Sequence, residues 1–364
     1  MKKISILVIL PSLVGGGAEK VTLSLLENLD KNVFVCTLIL LNAHGPLKVK
    51  INSEHVIDLK NQRFRHAFPL LIKKIRHIKP DVIFSTFPHI TLPLLLIRKL
   101  FTKNMIIISR EPNMIKLSLR YSPYSLVLKI LHKLLLPTAD KVIVNSQAMY
   151  KDLSKRGVKE NKLVLVHNPI DHINIRRVSN FNRHAGKGLR LIAMGRLVKQ
   201  KGFDRVIPIL KKLKNAHLTI LGEGSEYNNL INLVKNLDLE SKVDFKGYIK
   251  NSNSFIAGAD YFILPSRWEG LPNAALESLV LGTPVISFKE VEGLADIFPY
   301  VEKNNLYLCK NEYDMEELLK NLPSRLDYKN ISLRENLLST FNTPFQYSEK
   351  ISILLKGLVF CIKK

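Results

Sequence analysis

The feature that most constrains this chain is an alternation. Short, wholly apolar runs are separated by stretches of helical length, and the pattern occurs twice. In the first half the runs are residues 4–10 (ISILVIL), 34–41 (FVCTLILL), 81–86 (DVIFST), 105–109 (MIIIS), 141–145 (KVIVN) and 162–167 (KLVLVH). In the second half they are residues 189–194 (LRLIAM), 217–221 (HLTIL), 242–245 (KVDF), 260–264 (DYFIL) and 284–288 (PVISF). A strand that is apolar on both sides is buried on both sides, which is the property of a parallel strand covered by helices. Strand, helix and strand in succession make right-handed crossover units, so each half is expected to be a doubly wound α/β domain. A chain of 364 residues is comfortable for two such domains.

Residues 171–188, rich in Asn, Arg, His and Gly and without periodicity, read as the linker. This gives an N-terminal Rossmann-like domain over 1–172, a C-terminal one over 173–343, and a helix over 344–364 expected to pack back on the first domain. The formal net charge of +24 predicts an anionic partner. The excess is uneven, with 27 basic against 11 acidic residues in 1–172. The three cysteines, Cys36, Cys309 and Cys361, have no metal-like spacing and fit a reducing compartment. The apolar run after Lys2 and Lys3 stops at Pro11 with no small-residue cleavage site, and no run reaches the length of a membrane span. A cytoplasmic protein that can lie on a membrane is expected.

Four loops carry the chemistry. In residues 264–284 (LPSRWEGLPNAALESLVLGTP), Glu269 and Glu277 are eight apart, and Asn273 is a candidate N-cap of the helix carrying Glu277. A helix start after a parallel strand is an anion site, so Gly270, Leu271, Pro272 and Asn273 are candidate phosphate contacts. As a glycosidase pair the two glutamates fit poorly. Eight helical residues rise about 12 Å, beyond the roughly 5 Å and 9.5 Å that such enzymes use. The plain alternative is a capped helix with two solvated glutamates.

In residues 195–202 (GRLVKQKG), Arg196 and Lys201 sit in a strand-to-helix loop at the carboxyl edge of the sheet, where open α/β folds bind ligands. A forked guanidinium and a point charge suit a diphosphate; the alternative is ordinary basic surface. In residues 221–226 (LGEGSE), Gly222 and Gly224 permit a tight turn and close approach, for a ligand or for packing. In residues 11–20 (PSLVGGGAEK), Gly16 and Gly17 can bring backbone N–H groups to a phosphate. That loop is not the G-x-G-x-x-G fingerprint, and the second strand ends at Asn42 without an acidic residue for a ribose, which disfavours a nicotinamide cofactor.

Taken in order, GGGAE, GRLVKQKG, LGEGSE, EGLPNAALE with its E-x7-E spacing, and GTPVI resemble the retaining glycosyltransferases of family four, which have the GT-B fold. The resemblance covers nearly the whole chain and is strongest from Gly195 to Pro284. It implies that Glu277 holds the ribose hydroxyls of a nucleotide-sugar and that Glu269 contacts the transferred sugar or its leaving phosphate. Arg196 and Lys201 neutralise the diphosphate. Gly247 and Tyr248 lie near the base, and Gly16 and Gly17 face the phosphate. No metal or cofactor is implied, the nucleotide-sugar being a substrate, with UDP expected over GDP. One element departs: the first-domain histidine of many relatives has no clean counterpart. His89 in FPHIT is one candidate. Glu111 in ISREPN is the favoured acceptor-side candidate, since its Arg110–Glu111 pair resembles the SER-type motif of polysaccharide-assembly relatives.

The acceptor expected from the resemblance is a lipid-linked saccharide in lipopolysaccharide, O-antigen or capsule assembly. Two basic amphipathic stretches fit an anionic membrane surface. One carries Lys60, Arg63, Arg65, Lys73, Lys74, Arg76 and Lys79; the other carries Lys116, Arg120, Lys129 and Lys133 among leucines. The alternatives are a sugar-nucleotide epimerase of the same fold, an inactive donor-binding subunit, and a basic nucleic-acid-binding protein. The last lacks any recognised binding module.

Overall fold

The computed structural model describes residues 2–47, 55–61, 63–98, 105–115, 125–171, 188–302, 304–323 and 331–363. The chain forms two compact units, residues 1–169 with 342–364, and residues 170–341.

Unit 1 is built on a seven-stranded sheet in the order β3-β2-β1-β4-β5-β6-β7, with every pair parallel. The strands are β1 (Ile4–Leu10), β2 (Phe34–Leu40), β3 (Val56–Asp58), β4 (Val82–Ser85), β5 (Ile106–Arg110), β6 (Lys141–Val144) and β7 (Leu163–Leu165). The helices are α1 (Gly17–Asn28), α2 (Phe64–Ile78), α3 (Pro88–Leu96), α4 (Ser125–Leu135) and α5 (Gln147–Lys155). Unit 2 carries a six-stranded sheet in the order β10-β9-β8-β11-β12-β13, also parallel. Its strands are β8 (Leu189–Met194), β9 (Ala216–Leu221), β10 (Val243–Phe245), β11 (Tyr261–Leu264), β12 (Val285–Phe288) and β13 (Leu306–Cys309). Its helices are α6 (Phe203–Val206), α7 (Tyr227–Asn236), α8 (Asn253–Gly258), α9 (Asn273–Val280), α10 (Glu312–Asn321) and α11 (Ile331–Thr340); a last helix, α12 (Pro344–Lys363), returns to unit 1.

The apolar runs predicted from sequence are the strands. The two that the sequence reading misses, β3 and β13, are short edge strands of three and four residues, only partly buried. A third signal is visible once the sheets are known. Asp81, Asp140 and Asp260 each stand one residue before a strand and accept a hydrogen bond from the backbone N–H of a neighbouring strand, Ser5 at 2.9 Å, Ile107 at 2.7 Å and Arg190 at 2.7 Å. Each carboxylate satisfies a strand-entry donor that the ladder leaves open.

α12 packs its buried face, Tyr347, Ile351, Leu355 and Val359, into the cluster formed by Val21 and Leu25 of α1 and Ile6 and Val8 of β1. The chain passes between units at 169/170 and 341/342, against the sequence expectation of 172/173 and 343/344. The reason is local: Ile170 and Phe341 are buried in the core of unit 2. The Asn342 amide donates to the His167 carbonyl at 2.9 Å and accepts from Lys350 at 2.7 Å within unit 1. The expected linker, apart from Asp171 and Gly188, lies outside the described residues. Among the described residues no helix is long and apolar enough to cross a membrane.

Candidate nucleotide-sugar site

In unit 2 the strand order reverses between β8 and β11, which lie side by side. Such a switch point is where the loops leaving two adjacent strands diverge and a crevice opens. The loop after β8 carries Arg196 and Lys201, and the loop after β11 carries Glu269 and leads into α9.

The two loops are stitched together. Lys201 Nζ donates to Glu269 Oε1 at 2.6 Å, and the Ser266 hydroxyl donates to the same oxygen at 2.8 Å. The Gln200 amide donates to the Trp268 carbonyl at 2.9 Å, and Arg267 N–H to the Gln200 carbonyl at 2.8 Å. Arg267 also forks onto Asp204 at 2.8 and 2.6 Å. Glu269 is only 5% exposed. A buried carboxylate needs its charge met, and the lysine meets it. Sequence reasoning gave Lys201 and Glu269 separate partners; the structure makes them partners of each other. Arg196, two residues past β8, is exposed and pairs with no carboxylate among the described residues, leaving its fork available.

Asn273 is not the N-cap of α9. Pro272 holds that position, with no side-chain cap, and Asn273 is the first helical residue. Proline is suited to this, since it has no N–H of its own to satisfy. Leu271 and Pro272 are buried, and Glu277 is half-buried one turn in from the helix start. Gly270 is held from behind by Gly293, which sequence reasoning missed. A Cβ at 293 would lie 1.4 Å from the Gly270 carbonyl oxygen.

The other loops align along the same edge. Gly195 N–H donates to Leu221 O at 3.0 Å, Leu197 N–H to Glu223 O at 2.8 Å, and Gly222 N–H to Gly247 O at 2.8 Å. Gly222 has φ of +136°, and a Cβ there would meet the Gly195 carbonyl oxygen at 2.0 Å; one at Gly224 would meet the Leu197 carbonyl oxygen at 2.3 Å. Their role in the described structure is therefore loop-to-loop packing. The Glu223 carboxylate accepts from Tyr248 N–H at 3.3 Å, which ties the Gly247–Tyr248 turn into the row.

In unit 1 the equivalent reversal lies between β1 and β4. Gly16 is the N-cap of α1 without a side-chain cap, and Gly17 begins the helix. The buried Glu19 carboxylate fills the space beside Gly16. His89 is an exposed residue of the first turn of α3, between the rings of Phe64 and Phe87 at 6.1 and 5.7 Å.

Glu111, just past β5, is buried, with Oε1 accepting from Ser109 at 2.7 Å and Oε2 without a partner. Arg110 is buried beside it and donates to Asn168 at 2.7 Å. Burial raises the Glu111 pKa from 4.5 to about 7, against the lowering effects of Ser109 and Arg110. The folded state thus holds this proton more tightly than the unfolded chain. Stability contributed by the neutral carboxyl is full below about pH 4.5 and is lost as pH rises through about 7, a change of about 3 kcal/mol. Glu111→Gln is expected to raise the melting temperature by several degrees at pH 8 and to leave it nearly unchanged at pH 5. Thermal melts across that range check this.

Residues 174–337 match the family profile "Glycosyl transferases group 1", and residues 15–173 match "Glycosyltransferase Family 4". The chain is 28% identical over 333 residues, 88% of its length and 90% of the relative's, to the N-acetylgalactosamine-N,N'-diacetylbacillosaminyl-diphospho-undecaprenol 4-alpha-N-acetylgalactosaminyltransferase of Campylobacter jejuni. It is 36% identical over 132 residues, 31% of its length and 37% of the relative's, to the O-antigen biosynthesis glycosyltransferase WclY of Escherichia coli. Its fold matches that of HepE from Anabaena, solved in complex with UDP and glucose, with a TM-score of 0.74 at 18% identity over 97% of this chain and all of that one. Together with two doubly wound units and the E-x7-E loop on the switch point of the second, these likenesses show that the chain belongs to the family-four, group 1 glycosyltransferases of GT-B fold.

Proposed function

We propose that this glycosyltransferase moves a sugar from a UDP-sugar to a lipid-linked saccharide, with retention of anomeric configuration, in the assembly of a surface polysaccharide. The observation that carries the reading is the Lys201–Glu269 pair joining the two switch-point loops, with Arg196 exposed beside it and α9 starting just beyond. Those are the charges a diphosphate leaving group needs. In the transfer step the acceptor hydroxyl oxygen bonds to the anomeric carbon on the face that the diphosphate leaves. The carbon–oxygen bond to the phosphate breaks, and a phosphate oxygen takes the hydroxyl proton. Arg196 and Lys201 carry the developing charge, Glu277 holds the ribose and Glu269 the sugar, so no metal ion is required. Glu111 is the acceptor-side residue of unit 1. The UDP in HepE and the diphospho-undecaprenol acceptor named for the Campylobacter relative support the choice of donor and acceptor class. Three unpaired cysteines fit a reducing compartment, the inner face of the cytoplasmic membrane.

The test is thermal stabilisation by UDP, GDP and ADP, with and without EDTA. UDP at about 100 times its Kd should stabilise by about 2.7 kcal/mol, or about 5–10 °C. The shift should be indifferent to EDTA and absent in Arg196→Ala and Glu277→Ala. A shift that needs metal, or none with any nucleotide, overturns the reading. The anomeric signal of the product by NMR decides between retention and inversion.

A further inference from the structure

Four rings of unit 1 touch in a row, Phe68, Phe64, His89 and Phe87. Phe64 and Phe68, one turn apart in α2, have centroids 5.1 Å apart. His89 meets Phe64 edge to face at 6.1 Å and Phe87 at 5.7 Å. The three phenylalanines are half-buried and the imidazole is exposed. Phe87 also packs against the core of unit 1, which anchors the row. Rings with one end buried and the other wet, around a single polar group, are the composition of a small recognition site.

The row stands where this kind of sheet binds ligands. α2 follows β3 and α3 follows β4, so both helices begin at the carboxyl edge. Phe64 is the first residue of α2, Phe87 is the N-cap of α3, and His89 lies in its first turn. β4 is one of the two strands between which the order of this sheet reverses, so the row borders the crevice at that switch point. None of the four residues has a part in the donor site, which belongs to unit 2.

The chemistry of the row selects its occupant. A pyranose ring has an apolar C–H face and carries its hydroxyls around the rim. It can therefore lie on an aromatic ring and hydrogen-bond at its edge at the same time. Phe64 and Phe87 supply rings, and His89 between them supplies the hydrogen-bonding group. Desolvation lowers the His89 pKa from 6.5, so at neutral pH the imidazole is uncharged, with one nitrogen donating and the other accepting. Exposed Arg63 and Arg65 flank Phe64, and α2 carries no acidic residue, so a phosphate on the same ligand would be met beside its sugar. A lipid tail fits less well, because the row is interrupted by an imidazole and bordered by two guanidiniums. Of the two basic stretches expected from sequence, the one over 60–79 thus begins at this edge; Lys116 and Arg120 of the other lie outside the described residues.

We propose that Phe64, Phe87 and His89 form the platform that recognises the saccharide of the acceptor, with Phe68 backing Phe64. The C–H face of one sugar ring lies on the phenylalanines and a hydroxyl of that ring bonds to the imidazole. This deepens the reading of a saccharide acceptor and rests on it.

The experiment is saturation-transfer NMR on the full chain with the methyl glycosides of glucose, galactose, N-acetylglucosamine and N-acetylgalactosamine, with and without UDP. At least one glycoside should receive saturation, strongest on the C–H protons of one ring face, and UDP should not displace it. Phe64→Leu keeps apolar bulk without a ring and should weaken that glycoside's affinity by about 3- to 10-fold, whereas Phe64→Trp should preserve it. His89→Ala should weaken it by about tenfold, and His89→Phe, which keeps a ring and loses the hydrogen bond, by less. The melting temperature and the stabilisation by UDP should stay close to those of the unmodified protein in all four variants. No saturation of any glycoside, or displacement of the sugar by UDP or by farnesyl phosphate, would overturn the proposal. Glycoside binding indifferent to Phe64→Leu and His89→Ala would also overturn it, while leaving the saccharide acceptor in place. Loss of the UDP response in the unmodified protein would instead overturn the donor reading and leave the glycoside result standing.

Discussion

Lys201→Ala is expected to lower kcat/KM for sugar transfer by about 10²–10³-fold and to destabilise unit 2 by about 3 kcal/mol. The two effects have one cause. Lys201 Nζ lies 2.6 Å from Glu269 Oε1, and that carboxylate is buried. Removing the lysine leaves a buried charge with the Ser266 hydroxyl as its remaining close donor to Oε1. It also removes one of the two cations assigned to the leaving diphosphate. A second substitution separates the effects. Adding Glu269→Gln to Lys201→Ala deletes the unpaired charge, so stability should return by most of the loss while activity stays low. Steady-state kinetics and thermal melts on the two single variants and the double variant measure this. Activity loss in Lys201→Ala without loss of stability would mean that the pair is not structural; wild-type activity would remove Lys201 from the site.

Gly293→Ala should be as damaging to transfer although it adds one methyl group. The new Cβ would sit 1.4 Å from the Gly270 carbonyl oxygen, far inside van der Waals contact, and the obstacle is backbone. Either the short helical turn Glu292–Asp296 or the start of the Gly270–Pro272 segment must move, by about 1.5 Å or more. Misplacement on that scale next to a reacting centre costs about 10²-fold in rate. The expected signature is a large fall in kcat with a smaller fall in melting temperature, because the loop can yield where the core cannot. Gly222→Ala makes the contrast. Its clash with Gly195 O and its positive φ act between loops that tie three strands together, so its larger effect should be on the melting temperature.

Much of this could be read along the chain. The loops that carry Arg196, Lys201, Glu269 and Glu277 could be placed because they follow apolar runs that had to be strands. They had to open at the carboxyl edge of a parallel sheet. Other parts were not legible. Asn273 looks like a cap by residue type, but Pro272 takes that position. Glu111 is singled out by its motif, but nothing local shows that it is buried, or that Arg110 beside it turns to Asn168, 58 residues away. Gly222 and Gly224 read equally as ligand-approach or packing glycines, and only the structure shows that their missing Cβ atoms make room for the carbonyls of the neighbouring loop.

The sequence by itself determined that there are two parallel-sheet units and which loops follow which strands. Burial on both faces writes itself into local composition, and strand–helix alternation leaves only right-handed crossovers. The tertiary structure alone decided which loops become neighbours. β11 lies against β8 and not beside its sequence neighbour β10, so Glu269 meets Lys201 across 68 residues and Gly293 comes up under Gly270. Strand order is settled by the packing of whole elements against one another, and that competition leaves no periodic mark on the residues of any one of them.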